Sequence, residues 1–278
     1  MEPKKIIQNV CPPILWGLAK QLRRSLSKSS DGEITFNGDY KSWEEAEKAS
    51  TGYSAPQILA RTRAALLKVR DGKTAFERDS VIFNAMQHEF PLLAGLLRAS
   101  CSNSNQLSVL DFGGSLGSTY FQCRKFLSTL TDLRWSVVDQ PAQVTCGQTD
   151  FANEQLHFYG TTDECLRVEK PNVLLLSSVL QYVPKPYVFL DDILQHRWRD
   201  IIVDRTAFLC EEGDLLTVQH VPDWIYGASY PAWFLSKERF LNSFKKDYHL
   251  VASFRALDNL HPKGKRTEHK GFIFSLKH

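Results

Sequence analysis

The chain has 278 residues, 43% of them hydrophobic and 23% charged, with a net charge of +3. That length and apolar content can bury a sizeable core, which excludes a chiefly disordered chain, and the small excess of cations excludes a nucleic-acid binder by overall charge. The six cysteines include no C-x-x-C pair, which excludes zinc-finger and dithiol redox motifs and predicts a reduced, cytoplasmic setting.

The charge is uneven along the chain. Residues 1–30 carry Lys4, Lys5, Lys20, Arg23, Arg24 and Lys28 against Glu2 alone, leaving a net −2 on the remainder. Within this basic arm, residues 12–28 open on proline and place Leu15, Leu18, Leu22 and Leu26 at helical spacing with cations between them. Two readings stand: a helix docked on the protein, or a surface helix touching anionic lipid at the inner face of the cytoplasmic membrane. The apolar run Val10–Ala19 is broken by Pro12 and Pro13 and is too short to span a bilayer.

Residues 31–104 read as a helical region and candidate lid. A loop or short hairpin over 29–41 leads to Ser42-Trp43-Glu44-Glu45, a capping box before a short helix that Gly52 ends. Ser54 is the expected cap of a second helix, with Pro56 in its first turn, running to Val69 and stopped by Asp71-Gly72. Residues 75–99 read as helical again, interrupted at Pro91, which puts Arg78 and Asp79 on a helix, either solvated or closing over a ligand carboxylate.

From residue 105 the pattern changes. Short runs rich in Val, Ile and Leu at 107–112, 135–140, 156–159, 172–178 and 200–206 alternate with helical stretches at 118–130, 140–152, 162–167 and 186–198. Strands without strict alternation, separated by helices, predict an α/β domain over 105–278 with a parallel sheet buried on both faces. Two late runs, 250–257 and 271–277, are a candidate antiparallel pair.

The most informative stretch is SVLDFGGSLGSTY, 108–120. It is a strand ending in an acid and a glycine-rich turn before a helix, where open parallel sheets bind ligands. A P-loop needs a lysine after the second glycine, and Ser118-Thr119 stand there instead. A dinucleotide fingerprint needs glycine where Ser115 stands. The spacing Asp111-x-Gly113-x-Ser115-x-Gly117 instead matches an acid followed by alternating small residues, and Asp139, ending the next strand, is placed to hold a ribose. A simple strand-to-helix turn and, for Asp139, a helix cap remain the bland readings.

The segments GYSAPQIL, FERDSVIF, VLDFGGSLGSTY, VVDQ, SSVLQYV, IIVDRT and TVQHVPDWIYGASYPAWFLS occur in that order. In this combination the chain resembles, from about residue 10 to 277, a family of class I S-adenosylmethionine-dependent methyltransferases associated with lipopolysaccharide and capsule gene clusters. The resemblance implies a Rossmann-like sheet of seven mostly parallel strands with a reversed last strand, helices on both faces, and S-adenosyl-L-methionine as cofactor. It implies cofactor contacts from Asp111, Gly113, Gly114, Ser115, Gly117, Asp139 and Gln140, and from Ser177 and Ser178 beside the methionine part. Ser115 in place of a motif glycine and Asp139 in place of glutamate depart from the pattern and keep the needed chemistry.

Methyl transfer from a sulfonium needs an aligned acceptor and commonly a base. The polar, aromatic stretch 219–233, within a substrate-side insertion over 211–240, is the expected acceptor loop, with Gln219, Trp224, Tyr226, Tyr230 and Trp233 as contacts and His220 as general base. Asp204 and Arg205, ending the fifth strand, join them as catalytic candidates. Serines rather than clustered acids end the fourth strand, so no metal is expected. The expected function is O-methylation of a sugar in a surface polysaccharide or its precursor. The rivals are methylation of a small natural product and a non-catalytic, methyltransferase-like binding scaffold.

Overall fold

A computed structural model describes residues 32–52, 56–257 and 260–277. The basic arm and its amphipathic pattern lie outside these residues, as does the expected cap Ser54. Among the described residues no helix is long and apolar enough to cross a membrane.

The centre of the fold is a sheet whose strands follow the predicted runs: β4 (Gln106–Phe112), β5 (Asp132–Val138), β6 (Leu156–Tyr159), β7 (Val173–Ser177) and β8 (Asp200–Leu209). Their spatial order is β6-β5-β4-β7-β8, all parallel. The two late runs are β11 (Tyr248–Arg255) and β12 (Thr267–Leu276), an antiparallel pair as expected, with β12 lying antiparallel between β8 and β11. Counted from β4, the order is 3-2-1-4-5-7-6 with the seventh strand reversed, which is the Rossmann-like class I methyltransferase topology.

Apolar side chains alternate between the two faces of this sheet. Val173 and Leu175 join one core with α2 (Pro56–Arg70), α3 (Phe90–Cys101), α4 (Ser118–Leu127) and α5 (Pro141–Asp150). Leu174 and Leu176 join another with α6 (Thr162–Val168), α7 (Pro186–Ile193) and α8 (Lys237–Phe244). Both faces are buried, so the strands read as continuous apolar runs.

Two predicted segments differ. The short helix is α1 (Trp43–Lys48), with Ser42 accepting from the Glu45 amide as its cap. Residues 75–99, however, are not one helix: β2 (Phe76–Arg78) and β3 (Val81–Phe83) form a hairpin, and α3 follows at Phe90. Asp79 and Ser80 both take positive φ, 49° and 68°, the two-residue turn whose twist suits a hairpin. Three-residue strands are too short to show an alternation, so this turn was hidden.

The stretch 219–233 is likewise mostly strand, with a turn only over 222–227. It belongs to β9 (Leu215–Val221) and β10 (Ala228–Ser236), paired antiparallel, with β1 (Thr35–Asn37) on the outer edge of β9. Their attachment is informative. β7 stops at Ser177 opposite Asp204, while β8 runs on to Leu209. β12 occupies the other edge of β8 along its length, so the end of β10, paired at Leu235–Phe208 and Ser236–Leu209, takes the edge β7 vacates. The leaf β10-β9-β1 therefore grows from the carboxyl edge of the main sheet.

Candidate functional site

The glycine turn sits at the end of β4, on that carboxyl edge. The Gly113 amide donates to the Val138 carbonyl at 2.8 Å, tying the turn to the end of β5. Gly114 lies against the Asp111 carboxyl group, and a Cβ there would come within 2.5 Å of it. Gly117, at φ +90°, turns the chain into α4. Ser115 also adopts positive φ, 54°, and its amide donates to Asp139 Oδ2 at 2.8 Å. The other Asp139 oxygen accepts from the Gln140 amide at 2.7 Å. Burial raises the Asp139 pKa while both amide bonds oppose that rise.

Asp111 lies beneath the turn, buried, and accepts from Trp135 Nε1 at 3.0 Å. Burial pushes its pKa up to about 7; the charge of Asp139 adds to the rise, and Trp135 and Arg205 oppose it. The motif acid is thus a support under the turn rather than an exposed ligand contact.

On the other side of β4, the end of β7 is joined to the middle of β8 by side-chain and main-chain bonds. Ser177 Oγ reaches Asp204 Oδ2 at 3.5 Å, and the Ser178 amide donates to the Asp204 carbonyl at 2.9 Å. Gln181 Nε2 donates to Ser178 Oγ at 3.2 Å and to the Arg205 carbonyl at 3.1 Å. Asp204 is buried; Arg205, at φ +49°, donates from its guanidinium to Asp79 on the hairpin tip at 3.2 Å.

That hairpin forms part of a roof. Glu77, 4% exposed, accepts from Ser118 Oγ at the first turn of α4 and from the Ser80 amide at 3.0 Å. Burial pushes its pKa up to about 7, against the hydrogen bond from Ser118. Thr62 of α2 meets Ser80 through their hydroxyls at 2.8 Å, and Arg78 pairs with the buried Glu89 at 3.0 Å.

The new leaf supplies the rest of the roof. Tyr182, in the short 3-10 turn after β7, donates to Gln219 Oε1 at 2.9 Å, and its ring meets Tyr230 edge-on at 5.4 Å. Gln219 Nε2 donates to Tyr230 Oη at 3.5 Å, and the Tyr226 and Tyr230 hydroxyls lie 2.7 Å apart. Burial pushes the Tyr226 pKa up to about 12, with the charge of Asp79 adding. Val81 of the hairpin and Ile58 of α2 pack against Tyr226 and Tyr230 in one apolar cluster.

The expected site residues thus divide. Asp111, Gly113, Gly114, Ser115, Gly117, Asp139 and Gln140 lie at the β4 and β5 ends, and Ser177 and Ser178 at the β7 end; Asp204 and Arg205, expected to end their strand, lie mid-way along β8, beside the end of β7. Gln219, Tyr226 and Tyr230 form one network. His220 is not with them. Side chains alternate along β9, and Leu216 and Val218 face Ala46 of α1, so His220 shares that face and Gln219 the opposite one. Its cross-strand neighbour Ser229 is bonded to Thr51 on the same side. Trp233 also packs with Leu216 and Val218, and Trp224, 51% exposed, lies on the turn between β9 and β10. Glu77 and Tyr182 join the site without having been singled out as site residues, and Asp79, expected on a helix, reaches it from a hairpin turn; FERDSVIF and SSVLQYV were conspicuous as motifs, but their contacts are made across long sequence separations.

No protein-family model matches the sequence, and no curated protein matches it. Solved structures align with it over most of its length at low identity. The N-terminal domain of EvdMO1, crystallised with SAH, is 11% identical, with 77% of this chain and 97% of that chain covered at a TM-score of 0.44. An S-adenosylmethionine-dependent methyltransferase from Clostridium acetobutylicum is 10% identical over 69% and 93% of the two chains, at 0.44. CalS10, an amino pentose methyltransferase from Micromonospora echinaspora, is 9% identical over 69% and 92%, at 0.42. At such identities nothing of those proteins' acceptors transfers to this chain.

Proposed function

We propose that this protein is an S-adenosylmethionine-dependent methyltransferase. The observation that carries the reading is the bond from the Ser115 amide to Asp139 across the glycine turn, at the carboxyl edge of a sheet of this strand order. The donor set fits the cofactor. Each Asp139 oxygen uses one lone pair on an amide and keeps another for a ribose hydroxyl. Gly113, Gly114, Ser115 and Gly117 present backbone to the nucleoside and its amino-acid tail, and Ser177 and Ser178 leave room beside β7. When bound, the cofactor supplies an electrophilic methyl group on a cationic sulfur that becomes a neutral thioether.

The chain's own residues would bind and align the acceptor and accept its proton. With His220 on the far face of β9, the role of taking a proton from an acceptor hydroxyl falls in this reading to Asp204, buried on β8 beside the end of β7. The Gln219, Tyr226 and Tyr230 network offers hydroxyl and amide groups beside aromatic rings, the combination that suits a sugar. The acceptor class we propose is a sugar of a surface polysaccharide or its precursor.

Methyl-labelled S-adenosylmethionine, incubated with the protein and a pool of polysaccharide precursors, tests this. Label should pass to the glycan. Asp204→Asn should reduce transfer about a hundredfold or more, the scale of a lost general base, with S-adenosylhomocysteine affinity retained. Transfer unchanged in Asp204→Asn would remove that role, and no transfer to any sugar would remove the acceptor class.

A further inference from the structure

The helices on the two faces of the main sheet differ in charge. On one face, α2 to α5 carry seven cations and one acid, Asp150. On the other, α6 to α8 carry three cations and five acids. Ion pairs take up only part of the basic excess. Arg63 pairs with Asp150 at 2.7 Å, Arg70 with Asp71 at 2.8 Å and Arg98 with Asp200 at 2.8 Å. Arg61, Lys68 and Lys125 are exposed, and Arg124 lies over the Phe121 ring, 4.7 Å from its centroid. The helices that carry them form one layer, since α4 packs against both α2 and α3.

The same layer leaves two aromatic side chains in water. Phe90, at the start of α3, is 63% exposed, and Phe126, in the last turn of α4 beside Lys125, is 42% exposed. Their rings meet edge-on with centroids 6.3 Å apart, and the His88 ring lies against both, at 5.6 and 4.6 Å. A single exposed phenylalanine is ordinary. Two held together on a face with surplus cations make the pattern of a surface that sits among lipid headgroups: the cations draw it to anionic lipid and the rings enter the interface. The rings are perpendicular, so they do not form the parallel platform on which successive nucleic-acid bases stack.

We propose that the outer face of α2, α3 and α4 docks on an anionic lipid bilayer, with Phe90 and Phe126 entering the headgroup region and Arg61, Lys68, Arg124 and Lys125 resting on the lipid charges. Its test needs neither cofactor nor acceptor, so it stands or falls apart from the methyl-transfer reading. The basic arm over residues 1–30 is a second source of attraction to the same lipid. The test therefore keeps the arm in place and varies the face alone.

Sedimentation of the full chain with phosphatidylcholine vesicles, with and without phosphatidylglycerol, supplies that test. The protein should pellet with the anionic vesicles and stay in solution with phosphatidylcholine alone. Lys68→Gln combined with Lys125→Gln should weaken partitioning about twentyfold, as for two cations near an anionic surface. Phe90→Ser combined with Phe126→Ser should weaken it about tenfold, as for two partly inserted rings. Val188→Ser removes an equally exposed apolar side chain from α7 on the opposite face and should change nothing. Unaltered melting curves confirm that each variant is folded. The proposal is overturned if the wild-type protein ignores anionic vesicles, or if partitioning survives both double substitutions, which assigns it to the basic arm. It is equally overturned if Val188→Ser weakens partitioning as much as the phenylalanine pair does. Binding to a labelled single-stranded oligonucleotide that the face substitutions abolish, without vesicle binding, makes the surface a nucleic-acid one and overturns the proposal as well.

Discussion

The floor and the roof of the cleft are built differently. The floor is one continuous piece of sequence, from the end of β4 through the glycine turn into α4, and its bonds to β5 are mostly main-chain amides and buried side chains. The roof is assembled from the β2–β3 hairpin and the β10-β9-β1 leaf; Glu77–Ser118 joins the hairpin to the floor, and Arg205–Asp79 joins it to β8. The floor is set by packing and backbone geometry; the roof is held by polar contacts between segments distant in sequence. Damage to the floor should therefore appear as lost stability, and damage to the roof as changed binding or pH dependence.

The largest expected effect is on the floor. Trp135 is fully buried and also donates to Asp111, so Trp135→Ala should destabilise the fold by about 3–5 kcal/mol. A urea unfolding curve measures it; a loss under 1 kcal/mol would mean that the floor does not depend on this packing. Next is Gly114→Ala, whose Cβ meets the Asp111 carboxyl group and should cost about 1–3 kcal/mol of overpacking. Its melting temperature should fall, and S-adenosylhomocysteine affinity with it.

The roof gives the opposite sign. Burial raises the Glu77 pKa from 4.5 to about 7, so the folded state binds this proton more tightly than the unfolded chain. The favourable contribution is complete below pH 4.5 and is lost as pH rises through about 7. Glu77→Gln keeps an acceptor for Ser118 and removes the buried charge. It should raise the melting temperature by several degrees at pH 8, as expected for a gain of about 1 kcal/mol or more, and change it little at pH 4. An equal shift at both values would contradict the assignment. The smallest effect belongs to Trp224→Ala: its ring is half exposed on the β9–β10 turn, so stability should move by no more than about 0.5 kcal/mol.

The same contrast explains what the sequence made legible. β4 to β8, their helices, the β11–β12 pair and the glycine turn carry local signatures: apolar runs, caps and glycine spacing. The class of fold follows from these alone. The roof carries none of comparable strength. FERDSVIF has three-residue strands around an Asp-Ser turn, and Pro231 inside β10 disguises a strand. The separation of His220 from Gln219 was hidden for a related reason: without knowing that 215–221 is a strand, its alternation could not be used to set the two on opposite faces.

The central claim is that the glycine turn with Asp139 holds a nucleoside cofactor. Calorimetric titration of the folded protein with S-adenosylhomocysteine tests it most directly. The expected result is saturable one-to-one binding, weakened at least about tenfold in Asp139→Ala, as for the loss of a charge-assisted hydrogen bond, with little change in melting temperature. Absence of binding to the folded wild-type protein, or equal affinity in Asp139→Ala, would contradict it.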